Sequence, residues 1–312
     1  MLAYFGTTIG WFDLAKRTVR DSISDDLFGL AAQLAYYFFL ALFPALLCLI
    51  AFASLFPLQE LTDDMVRLLG PFAPAAALAI IQDQMVKIAA RDDTGLFSLG
   101  LLGALWSSSA AMGAIVNAMN RAYDITEGRP WWRVRLMAIG LTIGLSLFIL
   151  VALTLVLAGP QLADWCARAF GFPVAFAWTW KIIQWPLVFA LVSTGIGLIY
   201  YFAPDAEQDW VWITPGSLLA TLLWLSGSLG FRLYVVHFGN YEGTYGAIAG
   251  VIIVMLWFYL TGLAIVIGAE MNAEIEKASP WGKHPGEKRP GEKRRLGAAA
   301  EREYHRRGTV AG

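Results

Sequence analysis

Residues 27–59 read LFGLAAQLAYYFFLALFPALLCLIAFASLFPLQ, with no Asp, Glu, Lys, Arg or His among them. A helix needs about 20 predominantly apolar residues to cross the hydrocarbon core of a bilayer. A helix on a soluble domain of this size would carry charge along its wet face, and here that face is missing. Five further stretches share the property, at 94–120, 136–163, 182–203, 211–231 and 244–269. Backbone groups in lipid must be satisfied within the protein, which suits helices. The reading is an all-α membrane protein, a polytopic bundle of six transmembrane helices spanning about 30–57, 95–119, 136–159, 182–203, 211–233 and 244–269.

Composition agrees, since 58% of the 312 residues are hydrophobic, too many for one soluble core. The first ten residues carry no basic start and no small-residue cleavage pattern, so the first span itself is expected to direct insertion. Cys48 lies in a span and Cys166 in a loop, which argues against a disulfide framework. Orientation follows from the basic residues. Lys16, Arg17 and Arg20 precede the first span, Arg121, Arg129, Arg133 and Arg135 follow the second, and ten Lys/Arg occupy 277–312. The alternate loops are poorer in them, so the positive-inside rule puts both termini in the cytoplasm.

Three regions flank the spans. Within 1–26, residues 11–26 form an amphipathic pattern, with Trp11, Phe12, Leu14, Ala15, Val19 and Ile23 on one half and Asp13, Lys16, Arg17 and Arg20 on the other. That suits a helix at the membrane surface, or one packed on the bundle. The outer loops hold the acidic pairs Asp63-Asp64 and Asp92-Asp93, read as helix caps rather than a cation site, and an aromatic belt from Trp165 to Trp180. Past the spanning domain (27–276), residues 277–312 carry ten basic residues against four Glu, with PGEKR repeated at 285–289 and 290–294. The expectation is a disordered basic tail leaning on anionic lipid headgroups, with no nucleic-acid partner.

Catalysis finds no foothold. His237, His284 and His305 are scattered, and neither HExxH, CxxC, a Walker A loop nor GxSxG occurs. No catalytic residue, metal or cofactor is expected. The spans carry no charge at mid-membrane, so any pathway would use neutral polar groups or the rims. The candidate contacts are Gln33 and Tyr36 in the first span and Ser107, Ser108 and Asn117 in the second. Asn240, Tyr241, Glu242 and Tyr245 in FGNYEGTYG (238–246) complete the set. Arg121, Glu270 and Glu274 are candidates at the cytoplasmic rim, with the connector acids Asp205, Glu207 and Asp209 beside them. Small residues four apart (Ser109/Gly113, Gly140/Gly144, Ser226/Gly230, Gly246/Gly250) would permit close helix contact or self-association.

Several motifs taken together resemble the YihY/BrkB family of bacterial inner-membrane proteins. They are AAQLAYYFFLALFPALL (31–47), NRAYDITEGRPWW (120–132), TPGSLLATLLW (214–224), FGNYEGTYG (238–246) and GAEMNAEIE (268–276). The resemblance runs from about residue 10 to 278 and leaves the PGEKR tail outside. It implies a six-helix inner-membrane protein, known as virulence factor BrkB and once labelled ribonuclease BN, a label regarded as mistaken. No agreed molecular activity comes with it. The expected role is to move or position a lipid or small solute in envelope maintenance. The alternative is a scaffold or assembly factor that docks envelope proteins, and a homo-oligomer is open to either.

Overall fold

The computed structural model describes residues 9–53, 94–157, 174–208, 213–238, 247–280, 282–290 and 292. Helix is the only regular structure among them. There are seven helices: α1 (Trp11–Ser24), α2 (Leu27–Ala53), α3 (Thr94–Ala122), α4 (Trp131–Leu157), α5 (Val174–Phe202), α6 (Pro215–Phe238) and α7 (Ala247–Lys277). Five hold segments long and apolar enough to cross a membrane: Leu27–Pro44, Trp131–Ala152, Ile182–Phe202, Pro215–Val235 and Ala249–Lys277. The sixth expected span falls on α3, which at 29 residues has the length and carries Ser107, Ser108, Ser109, Asn117 and Asn120.

From α2 to α7 each helix packs on the next, and α7 returns to pack on α2, closing a ring; α7 also touches α3. The core lies toward one end of that ring. Leu27, Leu34, Val116, Met119, Ala122, Tyr200, Ala203, Ala220, Val266 and Ala269 are all buried, and all lie in the halves of their helices nearest residues 123–130, 203–208 and 278–292. We call this the tail-side end. In the far halves, Leu147, Ile149, Ile182, Ile183, Leu229, Leu233 and Ile252 are exposed, as lipid-facing side chains should be.

Local signals explain the helix starts. Thr214, Pro215 and Ser217 begin α6 with a reciprocal cap: the Ser217 amide donates to Thr214 Oγ1 and the Thr214 amide to Ser217 Oγ, each at 3.0 Å. Pro215 needs no donor in that first turn. Asp26 turns the chain from α1 into α2 with φ 54°, and its carboxylate accepts from the Gly29 amide at 3.2 Å. Asp tolerates that left-handed conformation better than most residues.

At three of the four expected small-residue seams the glycines do not face a neighbouring helix, and Gly246 of the fourth lies outside the described residues. A side chain added at Gly113, Gly140, Gly144 or Gly230 would meet nothing within 4 Å. The close approach is elsewhere: a Cβ on Gly216 would stand 2.0 Å from the Gly268 carbonyl, and one on Gly268 would stand 2.5 Å from that of Gly216. Backbone meets backbone there, where α6 begins against α7. Spacing alone missed it because the two glycines come from different helices and not from one stripe.

α1 packs on α7 and α2, burying Leu14, Thr18 and Ser22 while Trp11, Phe12, Val19 and Ile23 remain 58–82% exposed. Of the two arrangements its sequence allowed, α1 shows packing on the bundle through one narrow face, and its broad apolar face is left open. The tail also differs from expectation. The described residues of 278–292 are not loose, since Lys283 and Glu287 are buried and Gly286 makes a turn at φ 79°. Ion pairs hold the segment, which composition alone does not reveal. Residues 293–312 lie outside the described residues.

Candidate functional site

The polar chemistry collects at the tail-side end, in a cleft and a buried seam. The cleft is built from the loop after α3. Asn120 ties the loop down: its Nδ2 donates to Glu127 Oε2 at 2.8 Å, and its Oδ1 accepts the Asp205 amide at 2.8 Å. Glu127 also takes the Arg129 guanidinium, at 2.7 Å and 2.9 Å, and the Arg129 amide at 2.9 Å. Burial works to raise the Glu127 carboxyl, but Arg129 and Asn120 outweigh it and hold the group at about 2. Arg129 then reaches the Ala203 carbonyl at 2.9 Å and Asp205 at 3.5 Å, joining the loop to the end of α5.

Beneath that clasp opens a cleft of about 470 Å³ lined by Asp25, Asn117, Asn120, Arg121, Asp124 and Glu127, with Ile125 and Thr126. Asp25 is raised above the ordinary carboxylate range, first by burial and then by the negative charge of Asp124. The lining offers amide, guanidinium and carboxylate groups, so it can meet donors and acceptors at once.

The seam lies between α1 and α7. Glu270 is fully buried and Glu274 is 3% exposed. Carboxylate oxygens of Asp21, Glu270 and Glu274 lie within 4.8 Å of one another. The Lys277 ammonium pairs with Asp124 at 2.9 Å and Glu274 at 3.0 Å, and stands 4.0 Å from Glu270. Burial raises the Asp21 carboxyl, but Arg20 and the neighbouring Glu274 carboxyl bring it below its ordinary value.

The tail closes this end. Lys288 pairs with Asp205, Arg289 with Glu207 at 2.8 Å, and Lys283 with Glu276 and the Glu207 carbonyl. A small pocket beside Lys283 is lined by Tyr123, Glu276, Lys277 and His284.

The expected site residues divide among these places. Asn117 and Arg121 meet in the cleft, and Glu270 and Glu274 meet in the seam. Ser108 is buried and donates to its own helix at Leu105 O, 3.1 Å, a packing role. Gln33 and Ser107 are exposed, as is Tyr36, which stands edge-on to Tyr37 at 5.7 Å; none of the three joins either place. Asn240, Tyr241, Glu242 and Tyr245 lie outside the described residues. Sequence reasoning passed over Asp21, Asp25, Asn120, Asp124 and Glu127. Four of these five were visible as a run of polar residues around NRAYDITEGR and the α1–α2 turn, but nothing in spacing says that those two segments meet.

The chain matches the family described as Virulence factor BrkB over residues 18–293. That match takes in the first PGEKR unit and most of the second, where the resemblance was expected to stop near 278. The chain is similar to the ribonuclease-like protein YfkH of Bacillus subtilis (strain 168), 38% identical over 250 residues, covering 79% of this chain and 89% of that protein. It is also similar to UPF0761 membrane proteins. That of Tolumonas auensis is 27% identical over 260 residues (80% and 81% covered), and that of Alkalilimnicola ehrlichii 26% over 277 (85% and 58%). No solved structure matches.

Proposed function

The chain belongs to the virulence factor BrkB family of membrane proteins, and from that premise we propose that it moves or positions a lipid or small solute in envelope maintenance. In this reading α2–α7 make six crossings of a bacterial inner membrane, both termini face the cytoplasm, and membrane lipids surround the bundle. The basic residues of the tail then lie near anionic headgroups.

The observation that carries the reading is the cleft of about 470 Å³. Its size suits a headgroup or small metabolite, since ligand sites run roughly 300–1,000 Å³. Its lining of Asn117, Arg121, Asp124 and Glu127 suits a ligand with both donors and acceptors. The test is flux of lipids and metabolites in proteoliposomes, with Asn117→Ala and Arg121→Gln beside the parent. Loss of flux with unchanged helix content and melting supports the cleft as the path; unchanged flux removes it.

A scaffold reading draws on the docked tail, which presents Arg289 at 72% side-chain exposure next to the connector after α5. Deleting residues 279–312 should then release a co-purifying envelope protein and leave solute movement intact. The ribonuclease-like name of the Bacillus relative favours neither. Glu270 and Glu274 are closed off between helices, where a nucleic-acid strand has no access.

A further inference from the structure

The α1–α7 seam holds more oxygen than its own partners satisfy. Both Glu270 carboxylate oxygens, Thr18 Oγ1 and Ser22 Oγ are buried without a hydrogen-bond partner among the described residues. Thr18 and Ser22 lie one turn apart on the face of α1 that packs against the bundle, and Asp21 lies between them. Buried polar groups are nearly always partnered, so several orphans in one seam call for an explanation. Lys277 does not supply it: its ammonium is taken by Asp124 and Glu274 and stays 4.0 Å from Glu270. Asp25 and Asp124 bring the local carboxylates to five, against three basic groups, Arg20, Arg121 and Lys277. Glu270 itself has no cation nearer than Lys277 at 4.0 Å in this dry seam, and a buried carboxylate needs a positive partner or a proton.

We propose that this seam binds one hard divalent cation, held by the carboxylates of Asp21, Glu270 and Glu274 with the hydroxyls of Thr18 and Ser22 beside them. Every donor is oxygen, the set that suits Ca²⁺, Mn²⁺ and Mg²⁺. Carboxylate oxygens within 4.8 Å of one another fit an ion at the roughly 2.3–2.6 Å distances of Ca²⁺. A single proton shared between Asp21 and Glu274 would settle that pair but would leave Glu270 and both hydroxyls as they are. The ion neutralises the excess charge and fastens the first helix to the last. This inference is independent of what the cleft carries.

The experiment uses the full chain in detergent, washed with chelator and titrated with Mn²⁺, the free ion being read by electron paramagnetic resonance. The expected result is one Mn²⁺ per chain, displaced by Ca²⁺, with affinity weakened about tenfold or more in Glu270→Gln and in Asp21→Asn. Trp132→Phe, outside the seam, should bind like the parent. Melting gives a second readout: in chelator Glu270→Gln should melt no lower than the parent, and saturating Mn²⁺ should raise the parent's melting point more than the variant's. Absence of stoichiometric binding up to about 1 mM, the weak end of oxygen-ligand sites, overturns the proposal. So does equal binding by the parent and both variants, which would mean the ion sits elsewhere.

Discussion

The two ends of the helices obey different solvents. Toward the tail, side chains pack against one another, and polar groups find partners across long sequence distances, the Asp205 amide with Asn120 Oδ1 and the Asp205 carboxylate with Lys288. Toward the far end of the described helices, large apolar side chains such as Leu229 and Ile252 stand exposed, and a Cβ added at Gly103 or Gly230 would meet nothing within 4 Å. The few polar contacts in between are made helix to helix: Ser193 with Thr221 at 3.0 Å, and Trp224 to Thr261 at 3.2 Å. Protein satisfies protein at one end; lipid is left to cover the other. Substitutions should therefore do damage at the first and little at the second.

The sharpest break in that contrast is steric. Gly268→Val puts methyl groups where the Gly216 carbonyl lies 2.5 Å from a bare Cβ position, so α6 and α7 must separate. Overpacking of this kind costs about 3 kcal/mol or more, and loss of the folded fraction on size-exclusion chromatography would record it. Next comes Arg129→Ala, which strips Glu127, Asp205 and the Ala203 carbonyl of one shared partner. About 2–3 kcal/mol should go, since the partly buried Glu127 and Asp205 carboxylates lose a charged partner and keep only Asn120 on the one and Lys288 and the Gly128 amide on the other; a fall in melting temperature measures it.

Acid tests the same clasp. Glu127 is held at about 2 in the folded chain, below its ordinary value of 4.5. A lowered carboxyl contributes stability in full above the unfolded value and loses it as pH falls from 4.5 toward 2. The parent should lose melting temperature across that window, and Glu127→Gln, starting lower, should lose less. A parallel decline in both would remove Glu127 as the cause. The smallest effect belongs to the open end: Gly103→Ala and Gly230→Ala should each shift stability by about 0.5 kcal/mol or less. A large loss at either would show a helix or a second copy packed where the contrast puts lipid.

The bundle itself was legible because lipid imposes one rule on every residue of a span, and charge-free runs record it directly. Helix ends were legible too where a local signal exists, as in Thr214-Pro215-Gly216-Ser217. The cleft and seam were only half legible. Arg121, Asp205, Glu270 and Glu274 stood out as charges at the edges of apolar runs, but Glu127 gains its meaning from a fold that links it through Arg129 to Asp205, 78 positions away. The tail misled for the same reason: PGEKR reads as solvated until Asp205 and Glu207 are seen to receive it.

The contact of α1 with α7 joins the first described helix to the last. A ribosome feeds the chain from the amino end, so α1 must wait while nearly the whole polypeptide is threaded into the bilayer. Until α7 arrives, the Thr18 and Ser22 hydroxyls have only water to face, and Asp21 has only Arg20 of its own helix. The seam is thus a completion latch, closed only when the last described helix is in place.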